Sequence, residues 1–259
     1  MVRESLVEKH RGKMAVALLL TFGSGLVDIT GYLGIFHFFT AHLTGATVQL
    51  GQAMADRSWV DVRAAVVIIA AFVLGSLFGR AVIEAASRKR IPRIASFTLA
   101  IEAAMLIFMA MAEPTIRQTQ AHPLHRIIWG LAILAAAMGI QTATLTGIGP
   151  LTVHTTFVTG MINKATQLVS HIAFRTYDLL RSKSTDIGAR RARNEDIKQA
   201  LFLSGIWCFY VGGAAFGAWS YRFWGLRSLF VAVGLLAVGM ITDLFRPLAI
   251  KEEKEQSER

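Results

Sequence analysis

The sequence predicts an all-α fold: a polytopic membrane helix bundle of six strong spans and two short Thr-Gly segments, with a two-fold internal repeat whose halves are inverted. Three observations lead there. Of the 259 residues, 54% are hydrophobic and only 17% are charged, against roughly 25% charged in a soluble domain. The apolar residues gather into runs of about 18 or more, long enough for a helix to cross a hydrocarbon core. The order of motifs in the first half of the chain returns in the second. A closed barrel also satisfies its backbone in lipid, but it needs short alternating strands, and these runs do not alternate.

The strong runs cover residues 14–36, 64–86, 94–112, 127–151, 199–221 and 223–242. The first follows a basic N-terminus and continues too far for a signal peptide's apolar region, so it reads as an uncleaved span. Two weaker segments, 39–55 and 154–174, are interrupted by polar residues and glycine. They are either short full spans or segments that enter and leave on one side. Residues 175–198 hold seven Lys/Arg and four Asp/Glu and form a polar connector, partly helical. The charged tail 251–259 reads as disordered. The chain is thus one membrane domain over 1–259, with repeat halves at about 14–112 and 127–246.

The net charge is +10. On a soluble protein that would point to nucleic acid; here the basic residues flank spans, so no nucleic-acid partner is expected and the lipid bilayer is the partner. With six crossings the large basic groups (residues 1–13, 88–93, the connector and residues 246–259) share one side, nineteen basic residues against six opposite. Positive residues mark the cytoplasmic side, which puts both termini and the connector 175–198 there. Eight crossings give the same totals but place residues 88–93 outside. A homo-oligomer stays open. The one cysteine, Cys208, lies in an apolar run and excludes an intramolecular disulfide or a Cys-based zinc site.

The repeat is carried by Gly25-Leu-Val-Asp28 before Thr44-Gly45, and Gly139-Ile-Gln141-Thr before Thr159-Gly160. Gly75-x-x-Phe78-Gly79 and Gly213-x-x-Phe216-Gly217 then follow in the same order. Three strong spans per half invert the halves, a transporter pattern in which interrupted helices meet at the midplane. On that reading Thr44-Gly45 and Thr159-Gly160 break their helices and approach each other. Asp28 and Gln141 line the shared cavity there, with Gln49 and Asn163 beside the breaks. A carboxylate at membrane depth is costly and usually faces the bundle interior, which singles out Asp28, read as mid-span, and Glu102. Lys164 could pair with either acid, or snorkel to the surface. Each has a plain structural alternative: a helix–helix hydrogen bond for the acids, close packing for the glycines. No nucleophile elbow, HExxH or Walker A motif occurs, and the histidines lack ligand spacing. The expectation is therefore no catalytic residue, no metal, no cofactor and no enzyme.

Several runs resemble the YoaK family of bacterial inner-membrane proteins, a domain of unknown function. They are Gly25-Leu-Val-Asp28, His42-Leu-Thr44-Gly45-Ala46-Thr47-Val48, Met138-Gly-Ile-Gln141, Thr155-Thr-Phe-Val-Thr159-Gly160 and Phe209-Tyr-Val-Gly-Gly213-Ala-Ala-Phe-Gly217. The resemblance runs from about residue 15 to 245. The chain departs from it at Ala46 and Thr142, where the family pattern carries Asn. It implies a multi-pass protein of about six helices in the bacterial inner (plasma) membrane, and no substrate. The residues themselves favour a gradient-driven transporter of a small molecule or ion over a sensor, assembly factor or scaffold.

Overall fold

The computed structural model describes residues 6–35, 37–89, 91, 93–113, 128–144, 147–148, 151–152, 158–181, 187–245 and 248. Eight α-helices occur among them. They are α1 (Leu6–Gly34), α2 (Leu43–Ala55), α3 (Trp59–Arg88), α4 (Ile94–Met111), α5 (Ile128–Thr144), α6 (Val158–Arg181), α7 (Ile187–Trp224) and α8 (Leu229–Phe245). Each of the six strong runs holds a stretch of α-helix, as it must where lipid offers the backbone no partner. Among the described residues four stretches are long and apolar enough to cross a membrane: Gly12–Gly34, Trp59–Arg88, Ile94–Met111 and Ile187–Phe245. The last holds both α7 and α8, joined by a 3₁₀ turn at Gly225–Ser228. Gly225 takes φ 57° in that turn, a conformation that costs glycine little.

One of the runs ends differently from its sequence reading. In the run 127–151 the described helix is Ile128–Thr144. Beyond it Gly147–Ile148 and Leu151–Thr152 pair as a small antiparallel hairpin, Gly147 opposite Thr152 and Ile148 opposite Leu151. Much of the polar connector is helix. α7 begins at Ile187, and its 38 residues span about 57 Å at 1.5 Å per residue, well beyond a core of about 30 Å. Its charged first turns therefore extend out of the apolar layer, where Arg175 of α6 meets Asp196 at 2.9 Å. Residues 182–186 of the connector, the tail 251–259 and His154 lie outside the described residues.

Glycine sets the packing. α1 lies against α7 and α3 against α5, and both crossings are too close for a side chain. A Cβ on Gly25 would fall on the Tyr210 carbonyl oxygen, and one on Gly213 on that of Phe22. In the other pair, a Cβ on Gly75 would fall on the Ala136 carbonyl and one on Gly139 on that of Phe72. One turn further, Gly217 rests on Leu26 and Ile29, and Gly79 on Ile140 and Ala143. Small residues let backbones approach, which is how helices gain dispersion contacts where lipid competes for apolar surface.

α4 packs on α8 and α5, α1 on α8, α2 on α3, and α6 on α7. The core lies between α1, α4, α5 and α8, with Leu20, Leu99, Leu106, Leu134 and Met138 fully buried. Core hydroxyls are satisfied locally: Thr21 donates to the Ala17 carbonyl, Ser24 to that of Leu20, and Thr144 to that of Ile140. α4 starts at Arg93 with no side-chain cap of its own. Asp243 of α8 supplies one, accepting from the Ser96 N–H at 2.8 Å and the Ser96 hydroxyl at 2.7 Å. Its second oxygen accepts from the Leu248 N–H at 2.7 Å.

Candidate functional site

The described acids and amides of the interior fall into separate places. The first is built around Asp28, which lies six residues before the end of α1 and not at mid-span. After Gly34 the chain turns back through His37, in left-handed backbone at φ 57°, and returns along α1. By Thr40 it has reached the level of Asp28 again, a retreat of roughly 9 Å along the helix. α2 therefore starts below the end of α1, beside a buried carboxylate. Asp28 Oδ1 accepts the backbone N–H groups of Thr40 and Ala41, each at 2.9 Å, and the Thr40 hydroxyl at 3.5 Å. Oδ2 accepts the Tyr210 hydroxyl at 2.9 Å and lies 2.6 Å from His42 Nδ1. These donors offset the cost of a carboxylate that is 3% exposed.

The bond network selects a tautomer. With Asp28 accepting at both oxygens, Nδ1 of His42 carries a proton and donates it. The 3.2 Å approach of the Tyr210 hydroxyl to Nδ1 is then a contact, since the phenol gives its proton to Asp28. That leaves Nε2 of His42 as the group able to gain or lose a proton. His42 lies in the connection between spans, and its side chain is 34% exposed. The hydrogen bond with Asp28 raises its pKa above 6.5, the negative charge of Asp28 adds to this, and burial opposes it. Aromatic rings surround it: Phe39 and Tyr210 meet its ring edge-on, and Tyr32 stacks on Phe39 at 4.6 Å.

Gly45 borders this site. A Cβ there would lie 3.4 Å from the Phe39 ring and 3.7 Å from the His42 Cβ. Gln49, one turn on, donates to the His37 carbonyl at 3.1 Å, while its own oxygen is buried with no partner. Thr44 is exposed in the first turn of α2. Sequence reasoning overlooked Tyr210 and gave His42 no role. Tyr210, Gly213 and Gly217 share one helix face, the face that meets α1 at Gly25, and Asp28 is one turn from Gly25. That spacing was the available signal.

Other expected site residues lie elsewhere. Thr44-Gly45 and Thr159-Gly160 do not break helices; each sits in the first turn of an unbroken one, α2 and α6. α2 packs on α3 and α6 on α7, so among the described residues the two motifs fall on separate helix pairs. Thr159 and Asn163 are exposed on α6, and Gly160 and Lys164 half-buried. Lys164 reaches neither acid. The partners of Asp28 are those given above, and Glu102 has no lysine beside it. Gln141 does not share a cavity with Asp28. Its amide donates to the Leu20 carbonyl and the Ser24 hydroxyl, both at 2.9 Å, in a crevice that also holds Glu102. Matched by their glycines, the counterpart of Asp28 in the second half is Thr142.

Compared with known proteins, the chain matches over residues 16–242 the family described as "Protein of unknown function (DUF1275)". The chain belongs to the DUF1275 family. The resemblance to YoaK holds as well. This DUF1275 protein is 29% identical over 144 residues to the UPF0700 transmembrane protein YoaK of Bacillus subtilis (strain 168). That alignment spans 56% of the chain and 61% of the relative, so the chain matches less than two thirds of it. No solved structure matches this DUF1275 member. Family, relative and apolar helices together make it a membrane protein with transmembrane helices.

Proposed function

We propose that this DUF1275 protein is a gradient-driven transporter of a small molecule or ion in the bacterial inner membrane. The observation that carries the reading is the Asp28–His42–Tyr210 cluster, an acid held inside the bundle with a partly exposed imidazole on it. Such a group can take a proton from, or give one to, a passing substrate without moving the carboxylate behind it.

The packing supports the rest of the reading. Exchanging α1 for α5 and α3 for α7 carries one glycine crossing onto the other, and α4 meets α8 between them. Any two-fold repeat would produce this exchange; the inversion itself rests on the six crossings. With those crossings go cytoplasmic termini, and neither enzyme activity nor a cofactor.

The test is flux in dye-loaded liposomes, first of protons and then of a panel of ions and metabolites. Wild type should carry flux, with Asp28→Asn and His42→Gln each reducing it at least tenfold while remaining folded. A second reading, a sensor or scaffold, is favoured by one observation: both oxygens of Asp28 are already taken within the protein. Absence of any flux through folded wild type would select it.

A further inference from the structure

Glu102 is the opposite case to Asp28. It is 1% exposed, on α4, where that helix meets α1, α5 and α8. It lines a crevice with Leu20, Gly23 and Val27 of α1, Gln141 of α5, and Leu235 and Leu236 of α8, too narrow for a water molecule. Its Oε2 has no hydrogen-bond partner. The donors of Gln141, Ser24 and Thr98 are committed. Both amide hydrogens of Gln141 go to Leu20 and Ser24, Ser24 gives its own proton to Leu20, and Thr98, one turn away on α4, donates to Ala95. No other titratable group among the described residues lines the crevice. Asp243 is held by Ser96 and Leu248, Glu113 faces Arg227, and Asp28 has its own donors. Neither Arg227 nor the charged residues of α3 (Asp61, Arg63, Arg80, Glu84 and Arg88) reach the crevice.

We infer that Glu102 is an occluded proton-binding site: its carboxyl holds a proton in this conformation and releases it when α1, α4, α5 and α8 part. An ionised carboxylate here would have no room for water and, among the described residues, no counter-charge and no donor at Oε2, the situation proteins avoid by neutralising the group. A metal cation is a poor alternative occupant. It needs several oxygen ligands and room for them, whereas a proton needs one oxygen and no volume. The four helices around it come from both halves of the chain, so relative movement of the halves is what would admit water to it. A role for this proton in driving transport rests on the reading above; its presence does not.

Infrared spectroscopy of the full-length protein in lipid tests the site directly. At neutral pH the wild type should show the carbonyl band of a neutral carboxylic acid, shifting in heavy water. Glu102→Gln should abolish it, Glu102→Asp should move it, and Asp28→Asn should leave it. If Glu102→Gln does not fold, Glu102→Asp decides by the movement of the band. A wild type without the band, or a band indifferent to change at Glu102, overturns the site. A band that depends on Glu102 in a protein that carries no flux leaves the site standing and removes the transport reading.

Discussion

His42 shows how one contact gives a residue a pH-dependent contribution. Among the described residues Asp28 and Tyr210 are the titratable groups that touch it, from α1 and α7, and the Asp28 hydrogen bond dominates. Because the folded-state pKa is raised, the stabilisation it brings is complete below the ordinary value of 6.5 and is lost as pH climbs through the raised one. A third of the side chain is exposed, so solvent screens the effect and the change is modest. Melting temperatures of wild type and His42→Gln, compared across pH, should therefore differ most in acid and converge in base. A constant gap would refute the Asp28–His42 coupling. The need for interior partners around Asp28 was legible, because an acid in an apolar run must find them. Their identity was not: Thr40, Ala41 and His42 reach it only because the chain doubles back at His37.

Helix pairing depends on positions without side chains. At Gly25, Gly75, Gly139 and Gly213 an added methyl meets backbone carbonyls, which cannot rotate aside. Gly25→Ala or Gly139→Ala should cost about 1–3 kcal/mol through forced separation of the helices. Gly234 is the control. Nothing lies within 4 Å of its missing Cβ, so Gly234→Ala should be neutral or gain up to about 1 kcal/mol from helix propensity. Thermal unfolding in detergent separates the cases, and equal shifts at both kinds of site would sink the account. The Gly-x-x-x-Gly spacing was readable as a packing face. Its partners, Gly25 and Gly139, stood out only as members of a repeat. The cap that Asp243 places on α4 was hidden for another reason: donor and acceptor are 147 residues apart.

For the whole molecule, the arrangement of crossings decides which groups can meet. Two-thirds of the α1 apolar window is buried, against 28% for α3, so α1 is central and α3 peripheral. In the proposed six-crossing orientation residues 88–93 face the cytoplasm. A Lys89→Cys variant, in a Cys208→Ala background, should then react with an impermeant thiol reagent only after the cells are opened. Labelling of intact cells there would instead support eight crossings and parallel halves.

Composition and run length alone determined that the chain is helical and membrane-embedded, because lipid accepts no unpaired backbone and about 20 apolar residues are needed to cross it. They also located the six strong runs, and the motifs themselves led to the family. Tertiary structure decided what the polar residues do. Asp28 and Glu102 read alike in sequence, each an isolated acid in an apolar run. One is surrounded by five donors and the other has an oxygen facing a dry crevice. The cost of a buried charge depends on what lies within about 3 Å of it, and those neighbours come from helices far apart in the chain.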